Sequence, residues 1–188
     1  MNLNRLLDKA KAGQISKAEI ARVAYVLQAG ETNHDPYTLL HIIGRSGFVE
    51  YEKLVARYLQ SESDPMLTRL ALQILCSFWN KTPTYLDRVK EFVRGVEWDE
   101  GNDIRLMAIS IAGEYLRHAE DRFVFHLLVE SLTSAQEDRI VREGAYVALA
   151  RAYGKEWAEL PRLSRHFDVD RDVDPTVIKW AVENARLS

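Results

Sequence analysis

Four segments of this chain share one pattern, and the pattern recurs at an almost constant interval. Each segment has an Asp, then apolar residues around a basic residue, then an Ala two or three positions later. The basic residues are Arg69, Arg105, Arg142 and Lys179, which are separated by 36, 37 and 37 positions. Repeats of this length are typical of helical solenoids, because each unit buries its apolar face only against its neighbours. The sequence therefore predicts an all-α fold whose function lies on a surface.

Local signals along the chain place the helix boundaries. Asp35, Asp64 and Asp174 each precede a proline, the pattern of an N-cap residue followed by proline in the first turn. We predict a leading helix near 2–11 and then five helix pairs, all in a single domain over 1–188. The pairs are expected near 16–45, 48–79, 83–117, 121–153 and 155–187. Their first helices are expected near 17–29, 48–60, 83–95, 121–132 and 155–165, and their second helices near 36–45, 65–79, 103–117, 138–153 and 175–187.

The pattern that opens each second helix resembles the HEAT repeat. Asp138, Val141, Arg142 and Ala145 match it fully. The units of Arg69 and Arg105 match with altered spacing, and the first and last units are degenerate, as terminal repeats usually are. The resemblance covers roughly residues 16–187. It implies that the second helices line a concave face and that Asp and Arg side chains form a ladder between repeats. It also implies a binding scaffold, since HEAT arrays mostly act in that way.

Composition and charge narrow the class of partner. The chain has a net charge of −3 and an isoelectric point near 6.0, so direct binding to nucleic acid is not expected. Cys76 is the single cysteine, which excludes an internal disulfide or a zinc site built on several thiolates. The charged N-terminus and the absence of a long apolar run predict a protein with no membrane partner that resides in the cytoplasm.

No catalytic constellation emerges from the sequence. The five histidines do not form a metalloprotease motif, and no phosphate-binding glycine loop is present. The acidic run Asp168–Asp174 resembles a calcium loop, but it lacks the glycine at the sixth position and has Lys179 at the twelfth. We therefore predict no catalytic, metal-binding or cofactor-binding residues and no cofactor.

Acidic residues concentrate in the turns between the first and second helices, which predicts an acidic ridge along one edge of the array. Helix capping explains about one acid per turn, but the additional acids could instead contact a partner. The loop between Gly95 and Gly101 is the sharpest candidate, since a tryptophan among acids is typical of an interface anchor. The predicted partner-binding residues of this ridge are Glu97, Trp98, Asp99, Glu100, Asp103, Asp168, Asp170 and Asp172. An alternative is that Trp98 folds back over adjacent helices.

The second helices supply further candidates for contact on the concave face. These are Gln73, Arg105, Glu114, Glu143 and Tyr146. The sequence leaves open whether the row of basic residues on these helices forms a structural ladder or a contact surface.

The leading functional hypothesis is a non-catalytic protein-binding module with a basic target. Small bacterial HEAT-like proteins include immunity proteins that neutralise nuclease toxins delivered by neighbouring cells, and this chain is similar to them in size and charge distribution. Such a protein would block a basic nuclease domain sterically. A general scaffold or adaptor subunit is the first alternative. A HEAT-like DNA glycosylase is the second, since the chain has four tryptophans and a basic row, although its acidity argues against DNA binding.

Overall fold

The computed structural model describes residues 1–30, 33–160 and 167–186, and all regular secondary structure in these ranges is helical. The predicted all-α class is therefore confirmed for the described residues. The chain divides into two compact units, Met1–Tyr85 and Leu86–Ser188. The boundary falls where the third helix pair was predicted to begin.

The first unit contains five α-helices and several shorter helical turns. The α-helices are α1 (Leu3–Lys11), α2 (Lys17–Ala29), α3 (Pro36–Ser46), α4 (Glu52–Ala56) and α5 (Pro65–Leu72). Short 3-10 helices, Val49–Tyr51 and Arg57–Gln60, flank α4, and a π-helical segment, Gln73–Phe78, continues α5. The single helix predicted near 48–60 is thus three short pieces, and the one predicted near 65–79 changes its winding after Leu72.

Helix α3 lies at the centre of the first unit, where it packs against α1, α2 and α5. Gly44 of α3 permits a close approach, because a Cβ added there would lie 2.3 Å from the Ile74 side chain. The indole of buried Trp79 donates a hydrogen bond of 3.1 Å to the Gly44 carbonyl. This glycine and tryptophan therefore join α3 to the π-helical segment.

Five further α-helices lie in the described part of the second unit. They are α6 (Leu86–Arg94), α7 (Asp103–Leu116), α8 (Arg122–Thr133), α9 (Arg139–Tyr153) and α10 (Pro175–Ala185). A helix was predicted near 155–165. The described residues of this range contain one 3-10 turn, Trp157–Glu159, and positions 161–165 lie outside the described residues. The last predicted position of the final helix, 187, lies outside them as well.

Helices α7 and α9 run parallel and in register. Near their starts Asn102 donates a 2.8 Å hydrogen bond to Asp138. Toward their ends a Cβ added at Gly113 would lie 2.7 Å from the backbone of Ala148, so the two helices nearly touch there. Both are second helices of a predicted pair, with α6 and α8 packed against them as first helices.

Helix α10 departs from this scheme. It was predicted as the second helix of the last pair, yet it packs mainly against α8, a first helix. Its Trp180 meets the edge of Phe125 of α8 at a centroid distance of 5.1 Å. Only a short 3-10 turn is described where its partner helix was expected, and α10 covers the apolar surface of α8 directly.

Candidate protein-binding surface

The loop between α6 and α7 uses two of its predicted contact residues to hold its own fold. The Asp99 carboxylate accepts hydrogen bonds from the backbone N–H groups of Ile104 and Arg105, at 3.0 and 2.9 Å. Asp99 is only 6% exposed, so it caps α7 and is not an accessible contact. Trp98 is half-buried and packs edge-on against Phe92, with 6.2 Å between the ring centroids, as expected if Trp98 folds back over adjacent helices.

The other acids of this loop remain open to solvent. Glu97, Glu100 and Asp103 are exposed, and none has a cationic partner among the described residues. Asp138 is also exposed, and it lies beside this loop because it accepts a hydrogen bond from Asn102, the residue before Asp103. We refer to these four residues as the acidic cluster. None of the four has an ion-pair partner in the described part of the chain; Asp103 and Asp138 lie at the N-terminal ends of α7 and α9, and Glu97 and Glu100 lie in the loop before α7.

Two members of the basic row on the second helices, Arg105 and Arg142, form a ladder in this unit. Arg105 donates to the Val93 carbonyl at the end of α6 and makes two hydrogen bonds, of 2.8 and 2.6 Å, to Glu137. Arg142, 37 positions later, repeats the arrangement with the Leu132 carbonyl of α8 and the carboxylate of Asp170. Each arginine therefore links its own helix pair to the turn that precedes the next second helix. The side chains of Arg105 and Arg142 are 12% and 19% exposed, which leaves little of either for a partner.

The acidic run before α10 is also engaged within the fold. Asp170 pairs with Arg142, whose hydrogen bonds hold the pKa of the Asp170 carboxyl below its usual value. Asp172 accepts hydrogen bonds from Arg171 and from the Asp168 backbone, which lower its pKa to about 2. Asp168 is half-buried and accepts from the Asp170 N–H. Within the described residues, no group of three His, Cys, Asp or Glu side chains could hold a metal ion.

Two of the five predicted contacts on the second helices, Glu143 and Tyr146, are buried. Glu143 is 6% exposed and pairs with Arg139 at 2.5 Å. Tyr146 is 3% exposed, because its ring stacks on Phe167 and its hydroxyl accepts a 3.0 Å hydrogen bond from the Asp174 N–H. These two were predicted as exposed. Tyr146 instead holds the segment before α10, and Glu143 pairs with Arg139, which donates to the Phe167 carbonyl of that segment. Gln73 is half-buried at the start of the π-helical segment, and Glu114 is exposed.

Sequence reasoning missed an apolar groove between α7 and α9. The groove has a volume of about 260 Å³, and we refer to it as the α7/α9 groove. It is lined by Leu106, Ser110 and Glu114 of α7, by Ile140, Gly144, Val147, Ala148 and Arg151 of α9, and by Trp157. Gly144 and Ala148 lie one helical turn apart on α9 and Ser110 lies on α7, and these small residues are the signal that could have revealed the groove.

Two large apolar side chains at the groove are unusually exposed. Ile140 is 50% exposed and Trp157 is 65% exposed. Trp157 is therefore the most exposed tryptophan among the described residues. The Trp157 ring lies over the guanidinium of Arg151, with 4.8 Å between the Arg151 Cζ and the ring centroid. Arg151 is itself buried, donates to the Lys155 carbonyl at 2.6 Å, and lies near Glu114 and Glu156. Its Nε is the one buried side-chain polar atom without a partner in the described part of the chain.

Comparison with known proteins identifies no relative of this chain. No family model, curated protein or solved structure matches the chain. The resemblance to HEAT repeats therefore remains a prediction. Among the described residues, no helix has the length and apolar character needed to cross a membrane.

Proposed function

We propose that this chain is a non-catalytic protein-binding module that inhibits a basic nuclease toxin domain by covering it. In this proposal its helix pairs follow the HEAT-like solenoid plan predicted from the repeat, and it acts in the cytoplasm. The acidic cluster is the observation that supports the proposal best. Four exposed carboxylates without cationic partners would attract a cationic protein surface and raise the rate of association.

The pairing of the ladder arginines counts against the DNA glycosylase alternative. Arg105 and Arg142 already bind carboxylates and backbone carbonyls, so a DNA phosphate would have to displace these partners. Three of the four tryptophans also pack within the fold, through Phe92, the Gly44 carbonyl and Phe125. The adaptor alternative is favoured by a different feature, the α7/α9 groove, which would suit an apolar partner segment.

Charge reversal in the acidic cluster tests the proposal. The wild-type chain and the double variant Glu97→Lys/Glu100→Lys are titrated into assays of basic bacterial nuclease toxin domains, starting with any encoded beside this chain. We expect inhibition by the wild type and at least about tenfold weaker inhibition by the variant, because both lysines would repel a cationic surface.

A matched control is the double variant Glu130→Lys/Glu183→Lys. These two glutamates are also exposed, lack a described cationic partner, and give the same change in net charge. We expect this control to inhibit within about twofold of the wild type. Equal weakening by both double variants would contradict a role for the acidic cluster, and the absence of inhibition by the wild type would contradict the nuclease target.

A further inference from the structure

The α7/α9 groove has the form of a binding site for one short helix. It extends from Leu106 to Glu114 along α7, which at 1.5 Å per residue is about 12 Å, or roughly two turns of an α-helix. Because Gly144 and Ser110 have small side chains, the backbone of a partner could approach the groove closely. Side chains at i and i+4 of such a partner would both reach the groove.

The carboxylates at the two ends of the groove differ in whether they are paired with cations. At the N-terminal end, Asp103 and Asp138 of the acidic cluster lie within one turn of Leu106 and Ile140. At the other end, Glu114 is paired with Arg117, and both Glu114 and Glu156 lie near Arg151. Trp157 also lies at this end, and its indole N–H has no acceptor among the described residues. A helix lying in the groove would therefore be favoured with cationic residues toward the acidic cluster. Its other end would be favoured if it offered free acceptors to Trp157.

Free acceptors are what the C-terminal end of a helix presents, because its last carbonyls have no intrahelical donor. Together with the unpaired acids at the opposite end, this favours one direction of the partner: basic at its N-terminal end, apolar in the middle, and ending at Trp157. We propose that the α7/α9 groove binds a short amphipathic helix of a partner protein in this orientation, parallel to α7 and α9. The proposal rests on the proposed protein-binding function and names the segment that would be bound.

Arg151 supports the same assignment from a separate observation. Burying a guanidinium with an unsatisfied Nε costs stability, so packing alone does not account for an arginine at this position. Arg151 instead supports the exposed Trp157 ring, which lies over its guanidinium. The guanidinium is held in place by the Lys155 carbonyl and by Glu114 and Glu156. A tryptophan held in place before binding loses less freedom when a partner docks.

Designed peptides of about 16 residues, each stapled so that all are helical, are the probes. All carry leucines at i and i+4, and they differ only in having lysines at the N-terminal end, lysines at the C-terminal end, or glutamates at the N-terminal end. Fluorescence anisotropy measures binding to the full chain. We expect the peptide with N-terminal lysines to bind at least about threefold more tightly than either of the others. Equal affinity of the two lysine peptides would overturn the proposed direction.

Two variants with matched controls test the location. Ser110→Phe fills the groove and Trp157→Ala removes the anchor, and we expect each to weaken binding of the N-terminal lysine peptide by about tenfold. The controls are Ser77→Phe and Tyr25→Ala, an exposed helical serine and a 67% exposed aromatic residue in the first unit. We expect both controls to bind within about twofold of the wild type. Loss of affinity in the controls as well, or in neither groove variant, would overturn the site.

The variant Arg151→Met tests whether Arg151 serves to position Trp157 for binding or only stabilises the fold. We expect the thermal midpoint to be unchanged or higher and the peptide affinity to fall by about threefold or more. A lower midpoint with unchanged affinity would overturn the role assigned to Arg151. Self-association of the wild type that Ser110→Phe abolishes would mean that a second copy fills the groove, which would also overturn the proposal.

These outcomes are independent of the nuclease assay. Peptide binding without nuclease inhibition would retain the groove and reject the basic nuclease as the target. Nuclease inhibition by the wild type with no peptide bound would reject the groove and retain the acidic cluster.

Discussion

The role of Asp99 is determined by a contact that its neighbours in the sequence do not predict. It lies in the loop that composition marks most strongly as a binding site, next to Trp98 and between two exposed glutamates. Its carboxylate nevertheless turns inward to two N–H groups of α7, five and six positions later. Because Asp103 is the nearer candidate for a cap, the sequence alone does not single out Asp99.

Replacing Asp99 with Ala should destabilise the second unit by about 2 kcal/mol, because two N–H groups at the start of α7 lose their acceptor. Asp99→Asn keeps an acceptor oxygen and should cost less. Urea denaturation followed by circular dichroism measures the free energy of unfolding. Glu97→Ala is the control in the same loop, and a loss as large in Glu97→Ala as in Asp99→Ala would show that the cap is not the cause.

At the scale of the elements, local signals predicted the helix starts well. The Asp-Pro pairs at 35, 64 and 174 each begin an α-helix, since an N-cap acceptor and a first-turn proline act within a few residues. The α7/α9 groove was not predicted, because it depends on which side chains of two helices come together across about one repeat. Tyr146 was assigned wrongly for the same reason, since its burial depends on Phe167 and on the backbone of Asp174.

The close packing of α7 on α9 gives a prediction for Gly113. A Cβ at this position would lie 2.7 Å from the Cα and the carbonyl oxygen of Ala148, which are backbone atoms that cannot turn aside. Gly113→Ala should therefore destabilise the protein by about 1–3 kcal/mol in urea denaturation, despite the better helix propensity of alanine.

Gly144→Ala is the matched control for Gly113→Ala. Its added Cβ would meet the Leu106 side chain at 3.0 Å, and this flexible group can move. We expect a change within about 1 kcal/mol of the wild type. Equal stability of the two variants would contradict the close crossing of α7 and α9.

At the scale of the whole molecule, carboxylates paired with cations are distributed along the chain. Glu19 accepts a hydrogen bond from Lys9, and Asp172 accepts two from Arg171. These bonds are the largest cause that lowers the pKa of each carboxyl to about 2. The pKa of Asp174 is lowered in the same way by Lys155. Each group favours the folded state while it is ionised, so acidification must remove these contributions.

The resulting prediction concerns stability in acid. Because the pKa values of these carboxyls are lower in the folded chain than in the unfolded one, their contribution is present above about pH 4.5 and is lost as the pH falls toward about 2. Thermal denaturation across this range should give a midpoint that falls steadily with pH. The fall should be smaller in Asp172→Asn, which has already lost one of the pairs. A midpoint that rises on acidification would contradict the pairing.

The central claim of this account is that the chain recognises a basic protein through the acidic cluster. Stopped-flow association with an inhibited nuclease domain, at ionic strengths from about 20 to about 300 mM, tests it most directly. The account predicts a steep fall in the association rate with salt for the wild type. It predicts a slower and much less salt-dependent rate for Glu97→Lys/Glu100→Lys. An association rate that is independent of salt, or equal in the two proteins, would contradict it.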